Sequence, residues 1–327
     1  MSQPTIEVEH LSKIYGSITA IEDIHFSVAA GEIIGFLGPN GAGKTTTMRI
    51  LAGYLPATAG TAKIAGYDVH RNSMKVRRNI GYLPETPPLY PEMTVRGFLY
   101  FVAKIKGIRA GDLRRQVEHA MERCQLSDRA DILIRKLSKG YRQRVGIAQA
   151  IVHEPPVIIL DEPTVGLDPR QIIEVRNLIK SLAGEHTIIL STHILPEASM
   201  ICDRVTIINH GKVVTTNTPR DLQAQLASSS GYEVEISGDV EQIYPLLQSV
   251  AGVMQVSPIE HSVTKHPERQ LLKIACAPDI EPGKDIAAII IQQDIDLYEM
   301  RRTRPSLEDV FLKLTTEESW EVEQQGS

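Results

Sequence analysis

One stretch restricts the fold of this chain more than any other. It reads Glu32-Ile-Ile-Gly-Phe-Leu37, then Gly38-Pro39-Asn40-Gly41-Ala42-Gly43-Lys44-Thr45-Thr46, then an amphipathic run that stops at Gly53. An apolar segment of strand length leads into a glycine-rich loop, and the loop leads into a helix. The loop matches G-x-x-x-x-G-K-[ST] in full, in the strand-to-helix setting the pattern requires. Glycines at 38, 41 and 43 let successive N–H groups point inward as a nest for anionic oxygens. The helix N-terminus adds its partial positive charge. A chance glycine-rich turn would share the composition but not the flanking strand and helix. The loop is therefore expected to hold a polyphosphate, with Lys44 over the β- and γ-phosphates and the Thr45 hydroxyl offered to Mg²⁺.

A second apolar run, Val157-Ile-Ile-Leu160, ends on Asp161-Glu162. Alone, it reads as a strand leaving the core for solvent. Beside a phosphate loop it reads as the other half of a nucleotide-hydrolysing site, with Asp161 for the metal and Glu162 placed to polarise an attacking water. Leu137-Ser138-Lys139-Gly140-Tyr141-Arg142-Gln143-Arg144 precedes a helix in which Val145, Ala148, Ile151 and Val152 share a side, and Ser138 is a good N-cap for it.

Composition excludes several classes of chain. Of 327 residues, 42% are apolar, 23% are charged and 5% are aromatic, which describes a globular protein with mainly aliphatic cores. The formal charge of -5 carries no global basic excess, so no nucleic-acid partner is expected. Cys124, Cys202 and Cys276 stand far apart without a CxxC, which excludes a disulfide framework or a zinc site and favours a reducing compartment. The N-terminal segment has neither a basic head nor an apolar core, so no signal peptide is expected. No apolar run approaches the ~18 residues that a membrane span needs.

Two kinds of sequence pattern divide the chain. Up to about residue 226, strands expected over 32–37, 157–160, 187–190 and 205–209 alternate with helices, the habit of an α/β domain. Within it, 92–153 carries helical periodicity and reads as a helical insertion. Residues 227–231 (Ala-Ser-Ser-Ser-Gly) read as a linker. Beyond them, strands over 232–237, 253–259, 271–277 and 295–301 and helices over 240–250 and 285–293 give the order βαββαβ, a ferredoxin-like arrangement spanning 232–314. A last helix is expected over 307–314, starting from a capping box at Ser306 and Asp309, and a polar tail over 315–327.

Taken together, these motifs resemble the nucleotide-binding subunit of an ABC transporter, of the export-type branch whose subunits are separate polypeptides. The likeness rests on the phosphate loop 38–46, the signature 137–141, the metal-and-base strand 157–162, the following loop Val165-Gly166-Leu167-Asp168, the histidine of Ser191-Thr192-His193, and Tyr15 ahead of the phosphate loop. It implies a P-loop ATPase fold that hydrolyses ATP with Mg²⁺. Tyr15 would stack on adenine. Gly38, Pro39, Asn40, Gly41, Ala42, Gly43, Lys44, Thr45 and Thr46 would cradle the phosphates. Thr45 and Asp161 would hold the metal, Glu162 would serve as base, and His193 would contact the γ-phosphate. Ser138 and Gly140 would approach the γ-phosphate held by a second copy. The implied partners are a multi-span transmembrane permease and a second copy of this chain, or a paralogous ATPase subunit, paired head to tail. The implied location is the cytoplasmic face of a membrane.

The sequence departs from the commonest family pattern at four places. Lys139 and Tyr141 stand where Gly and Gln are usual, Val165 stands where Ser is usual, and Glu85 replaces the usual Gln of the loop facing the membrane partner. Glu85 can still accept from a metal-bound water, while adding a negative charge beside the metal. The proline-rich stretch after it, Thr86-Pro-Pro-Leu-Tyr-Pro91, is stiff and extended, and Glu85–Tyr90, with Leu89 and Tyr90 between prolines as its apolar residues, reads as a docking groove for a short helix of the permease. Two rival readings are a soluble ABC ATPase that works on ribosomes or DNA, and a regulatory protein that holds ATP without cleaving it. The first lacks its usual marks here, a second cassette or a long coiled coil. Glu162 and His193 argue against the second.

Overall fold

The computed structural model describes residues 4–226, 231–238, 240–259, 268–277 and 280–303. The helix expected over 307–314, the tail after it and most of the serine-rich linker lie outside them. The chain forms two compact units that divide between Pro219 and Arg220.

The first unit is built on two sheets. Strands β1 (Ile6–Tyr15) and β2 (Ile18–Val28) form an antiparallel hairpin, followed by β3 (Ile33–Leu37) and the phosphate-loop helix α1 (Lys44–Leu51). Next come β4 (Ala59–Ile64), β5 (Tyr67–Asp68), α2 (Ser73–Asn79) and β6 (Ile80–Leu83). The order β2-β1-β4-β5 makes one antiparallel sheet, which the sequence reading did not anticipate. Helices α3 (Val95–Ile105), α4 (Leu113–Arg123) and α5 (Lys139–Ile151) follow, packed on one another. The remaining elements are β7 (Val157–Asp161), α6 (Pro169–Leu182), β8 (Thr187–Thr192), α7 (Leu195–Ile201), β9 (Arg204–Asn209) and β10 (Lys212–Asn217). The second sheet runs β10-β9-β3-β8-β7-β6, parallel throughout except for the β10–β9 pair.

Burial explains the strand sequences. All five residues of β3 and of β7, and all six of β8, are buried, because a central parallel strand is covered on both faces. A core of Ile6, Val8, Leu11, Ile24, Ile34, Phe36, Ile159 and Ile189, among others, unites the two sheets and α1. Helices α3, α5 and α6 start where the sequence supplies caps. The Thr94 side chain accepts from the N–H of Gly97, Ser138 from that of Tyr141, and Asp168 from that of Gln171, with Pro169 in the first turn of α6. Such caps satisfy N–H groups that otherwise lack partners and contribute about 1 kcal/mol each.

Topology then places the chemistry. In a parallel sheet all strands finish at the same edge, and ligands bind outside those carboxyl ends. Strands β6, β7, β8 and β3 are successive neighbours. Their ends deliver Glu85, Asp161 with Glu162, His193, and the phosphate loop to one edge.

The second unit contains α8 (Pro219–Leu226) from Arg220 onward, then β11 (Gly231–Ser237), α9 (Val240–Gln248), β12 (Val253–Pro258), β13 (Arg269–Cys276), α10 (Gly283–Gln292) and β14 (Asp296–Thr303). Its sheet order is β12-β13-β11-β14 with every pair antiparallel, the split βαβ pattern of ferredoxin-like folds. Val234, Ile236, Leu272 and Ile274 meet Ile243, Leu247, Ile286 and Ile290 in its core. The alternate residues of β11, Glu233 and Glu235, pair with Arg301 and Arg269.

Candidate functional site

The phosphate loop is shaped by glycines that nothing larger could replace. A Cβ on Gly38 would stand 2.3 Å from the carbonyl oxygen of Ile208, and one on Gly43 would stand 2.7 Å from that of Ala20. Gly43 also has φ of +104°, outside the range that side chains tolerate. The loop therefore packs tightly on β9 and β2 beneath, and its upper side opens on a cavity of ≈ 360 Å³. Ala20, Asn40, Gly41, Gly43, Lys44, Thr45, Thr46, Glu85, Glu162, Val165 and His193 line that cavity.

The polar groups converge there. The Lys44 ammonium donates to the carbonyl oxygens of Gly38 (2.8 Å) and Pro39 (3.1 Å) and lies 3.4 Å from Oε1 of Glu162. Oε2 of Glu162 lies 2.9 Å from Nδ1 of His193, which is the donor when that carboxylate is ionised. The Glu162 backbone has φ of +49°, a left-handed conformation rare for a residue with a side chain. Two contacts hold it. The Glu162 N–H donates to Oγ of Ser191 at 2.9 Å, and two residues on, the Thr164 hydroxyl donates to the buried Glu197 carboxylate at 2.6 Å. Asp161, 1% exposed, accepts at one oxygen from Ser191 (2.6 Å) and Thr45 (3.2 Å). Beside it, Tyr82 has its hydroxyl pushed up to about 12, mainly by burial and further by the charge of Asp161.

Several sequence-predicted residues stand elsewhere. Pro39 and Gly38 contribute carbonyls beneath the cavity, and Ala42 is buried below the loop. Tyr15 is 45% exposed at the end of β1, with the Lys13 ammonium 5.0 Å from its ring centre. Ser138 and Gly140 do not line the cavity. They begin α5, with Ser138 exposed and Gly140 buried so closely that a Cβ would stand 2.5 Å from Oε1 of Gln171. Tyr90 packs edge-on against Phe98 and Phe101 at 6.0 and 5.5 Å between ring centres, so it has an aromatic bed within the insertion. Ser191, Thr164 and Glu197 were not singled out by sequence reasoning. For Ser191 a signal existed, since it is the register partner of Asp161 across β7 and β8.

A glycine-rich loop between a buried parallel strand and a helix, with an acidic strand end beside it, defines a P-loop nucleotide hydrolase. The family model described as "ABC transporter" matches residues 21–165. The linearmycin resistance ATP-binding protein LnrL of Bacillus subtilis is 31% identical over 311 residues, covering 95% of this chain and 98% of that protein. The bacitracin transport ATP-binding protein BcrA of Bacillus licheniformis is 35% identical over 94% of this chain and 96% of its own length. Among solved structures, cbiO1 from Clostridium perfringens, part of the ABC transporter complex cbiONQ, gives a TM-score of 0.64 at 29% identity, over 68% of this chain and 92% of that one. A dimeric ATP-binding cassette bound to ADP and Pi gives 0.59 at 25% identity, over 65% of this chain and 98% of that one.

The chain belongs to the ATP-binding proteins of ABC transporters. It binds ATP and is an ATPase whose hydrolysis is coupled to transport.

Proposed function

We propose that this chain powers export through a separate transmembrane permease by ATP-driven pairing of two copies, head to tail. The observation that carries the reading is a division of parts. Lys44, Glu162 and His193 meet in one cavity, whereas Ser138 and Gly140 begin a helix outside it. A site that needs both sets is completed by a second copy, and a twofold axis completes two such sites at once. ATP then lies between the phosphate loop of one copy and the α5 N-terminus of the other, with Tyr15 against adenine. Glu162 draws the proton from the attacking water, and His193, anchored by Glu162, reaches the γ-phosphate. Closure uses the γ-phosphate as a bridge between copies, and its hydrolysis releases them.

The residues present fit Mg²⁺. This ion prefers one or two protein ligands and takes the rest from phosphate and water. Thr45 and Asp161 are hydrogen-bonded to each other at the cavity floor. Among the described residues no group of three or more His, Cys, Asp or Glu side chains is placed to hold a metal alone. When bound, Mg²⁺ neutralises phosphate charge.

Complementation between inactive chains tests the pairing. Lys44→Ala disables one half of a site and Ser138→Arg the other. A mixed pair has one site with both defects and one with neither, so ATPase activity should reappear on mixing. A mixture as inactive as its parents would reject the shared site.

The permease reading places this chain at the cytoplasmic face of a membrane. No helix among the described residues is long and apolar enough to cross one. A cleft of ≈ 320 Å³ beside β6 suits a docking helix better than the proline-rich stretch. Its lining includes the exposed Tyr54, Met74 and Ile105 and the cationic Arg77, Arg78 and Lys106. Burial brings the Lys106 ammonium down to about 8. An amphipathic helix with an acidic end matches that lining. Tyr54→Asp combined with Ile105→Asp should abolish co-purification with the permease in detergent while leaving the ATPase of the isolated subunit within about 2-fold of wild type, since neither residue lines the cavity. Undiminished co-purification would place docking elsewhere. Residues 1–226 serve in this reading as the ATPase domain and 232–314 as an accessory domain.

A further inference from the structure

Two charges around the proposed shared site have no partner among the described residues. Glu85 lines the nucleotide cavity, is exposed, and makes no hydrogen bond or ion pair there. Lys139 is the first residue of α5, next to Ser138, and is also exposed without an ion-pair partner. Its ammonium lies over Gly166, where a Cβ would stand 2.0 Å from Nζ. Within one chain the two do not meet, since Lys139 is absent from the cavity wall that Glu85 helps to form. Their signs are opposite. Each stands where the sequence departs from a neutral family residue, Glu85 for Gln and Lys139 for Gly.

We propose that Glu85 of one copy and Lys139 of the other form a matched pair of charges in the shared ATP site. The pairing rests on the head-to-tail reading above. A carboxylate at the cavity wall disfavours polyphosphate, and disfavours the closed pair that compresses charge around it. An ammonium beside Ser138 arrives with the second copy at the closing step, next to a helix N-terminus that already favours anions. The carboxylate therefore opposes binding to a single copy, and the ammonium offsets it only when the copies meet. The two act as positioning and charge-balancing groups and not as catalytic residues.

Opposite signs give a signed test. Half-saturating Mg-ATP is measured for turnover and, by light scattering, for pairing, in Glu85→Gln, Lys139→Gln, the double variant and an equal mixture of the two single variants. Lys139→Gln strands the carboxylate and should raise half-saturating ATP by about 10-fold, the factor that 1.4 kcal/mol of coupling gives. Glu85→Gln strands the ammonium and should lower it by no more than about 2-fold, so that the product of the two single effects stays well above wild type, with slower turnover because closed pairs open late. The double variant should return to within about 2-fold of wild type, as reciprocal partners do in a cycle. In the mixture, every site of a mixed pair is matched again, one neutral with neutral and the other charged with charged. Wild-type-like pairs should reappear there, and all shifts should shrink in about 1 M salt.

Effects that simply multiply, leaving the double variant about 5-fold or more above wild type, would overturn the proposal, as would shifts indifferent to salt, which mark Lys139 as packing over Gly166. Recovery in the double but not in the mixture would place the compensation within one chain and overturn it too. The Lys44→Ala with Ser138→Arg mixture separates the two failures. If that mixture regains activity while the charge cycle multiplies, the shared site stands and only the charge pair falls.

Discussion

Glu162→Gln should bind ATP, pair, and then stop. The substitution keeps the shape of the side chain and its contact with His193, but removes the group proposed to take the proton from water. Loss of a general base typically costs ~10²–10⁴ in rate. The ion pair with Lys44 at 3.4 Å is lost as well, and both groups are buried. An amide in that place still accepts from the ammonium, so the loop should keep its form. With γ-phosphate uncut, the closed pair should accumulate in ATP and appear at twice the mass in size exclusion. Normal turnover in this variant would assign the base to another residue. Slow turnover without accumulation of pairs would separate Glu162 from the release step.

Lys44→Ala should fail earlier, at binding. Its ammonium is held by the carbonyls of Gly38 and Pro39 at the mouth of the loop, so it is a fixed cation and not a searching one. Removal leaves those carbonyls and Glu162 facing the polyphosphate unopposed. A hydrogen bond to a charged group contributes about 1.5–3 kcal/mol, so ATP affinity should drop by at least 10-fold and turnover should become undetectable. Titration with a fluorescent ATP analogue separates this variant from Glu162→Gln, which should bind normally. Wild-type turnover without Lys44 would remove the phosphate loop from the mechanism.

How much of this could be read beforehand depended on burial. Strands β3, β7 and β8 are covered on both faces, so their apolar runs are continuous and stand out from sequence alone. The phosphate loop, the acidic strand end and His193 follow directly from those strands, which is why they were legible. The β2-β1-β4-β5 sheet was not. Only one side of β1 is buried, and register shifts after Val8, Leu11 and Lys13 break its alternation. His10 and Asp23 take left-handed conformations there and bond to each other, a local device with no sequence period. In the second unit β11 and β13 alternate, as in Val234 to Ser237 and Leu272 to Cys276, and the element order was accessible.

The supports of Glu162 were hidden for a different reason. Thr164 and Glu197 lie 33 residues apart and meet only because β7 and β8 are neighbours. Neither belongs to a local pattern of its own. Asp161 and Ser191 were accessible in principle, since parallel register pairs them once the two strands are aligned. The roles proposed for Ser138 and Gly140 toward a second copy came from resemblance to the family and not from spacing within this chain.

The left-handed backbone at Glu162 also bears on how this position can change. A glycine would relieve a conformational strain of about 1 kcal/mol, and asparagine would relieve part of it. Any search that rewards thermal tolerance alone is therefore drawn at residue 162 toward side chains that cannot take a proton. The backbone favours one residue there and the proposed role as base requires another. Ser191 and the Thr164–Glu197 bond keep the carboxylate in place against that preference, and thermostabilised libraries of this protein will lose turnover first at this turn.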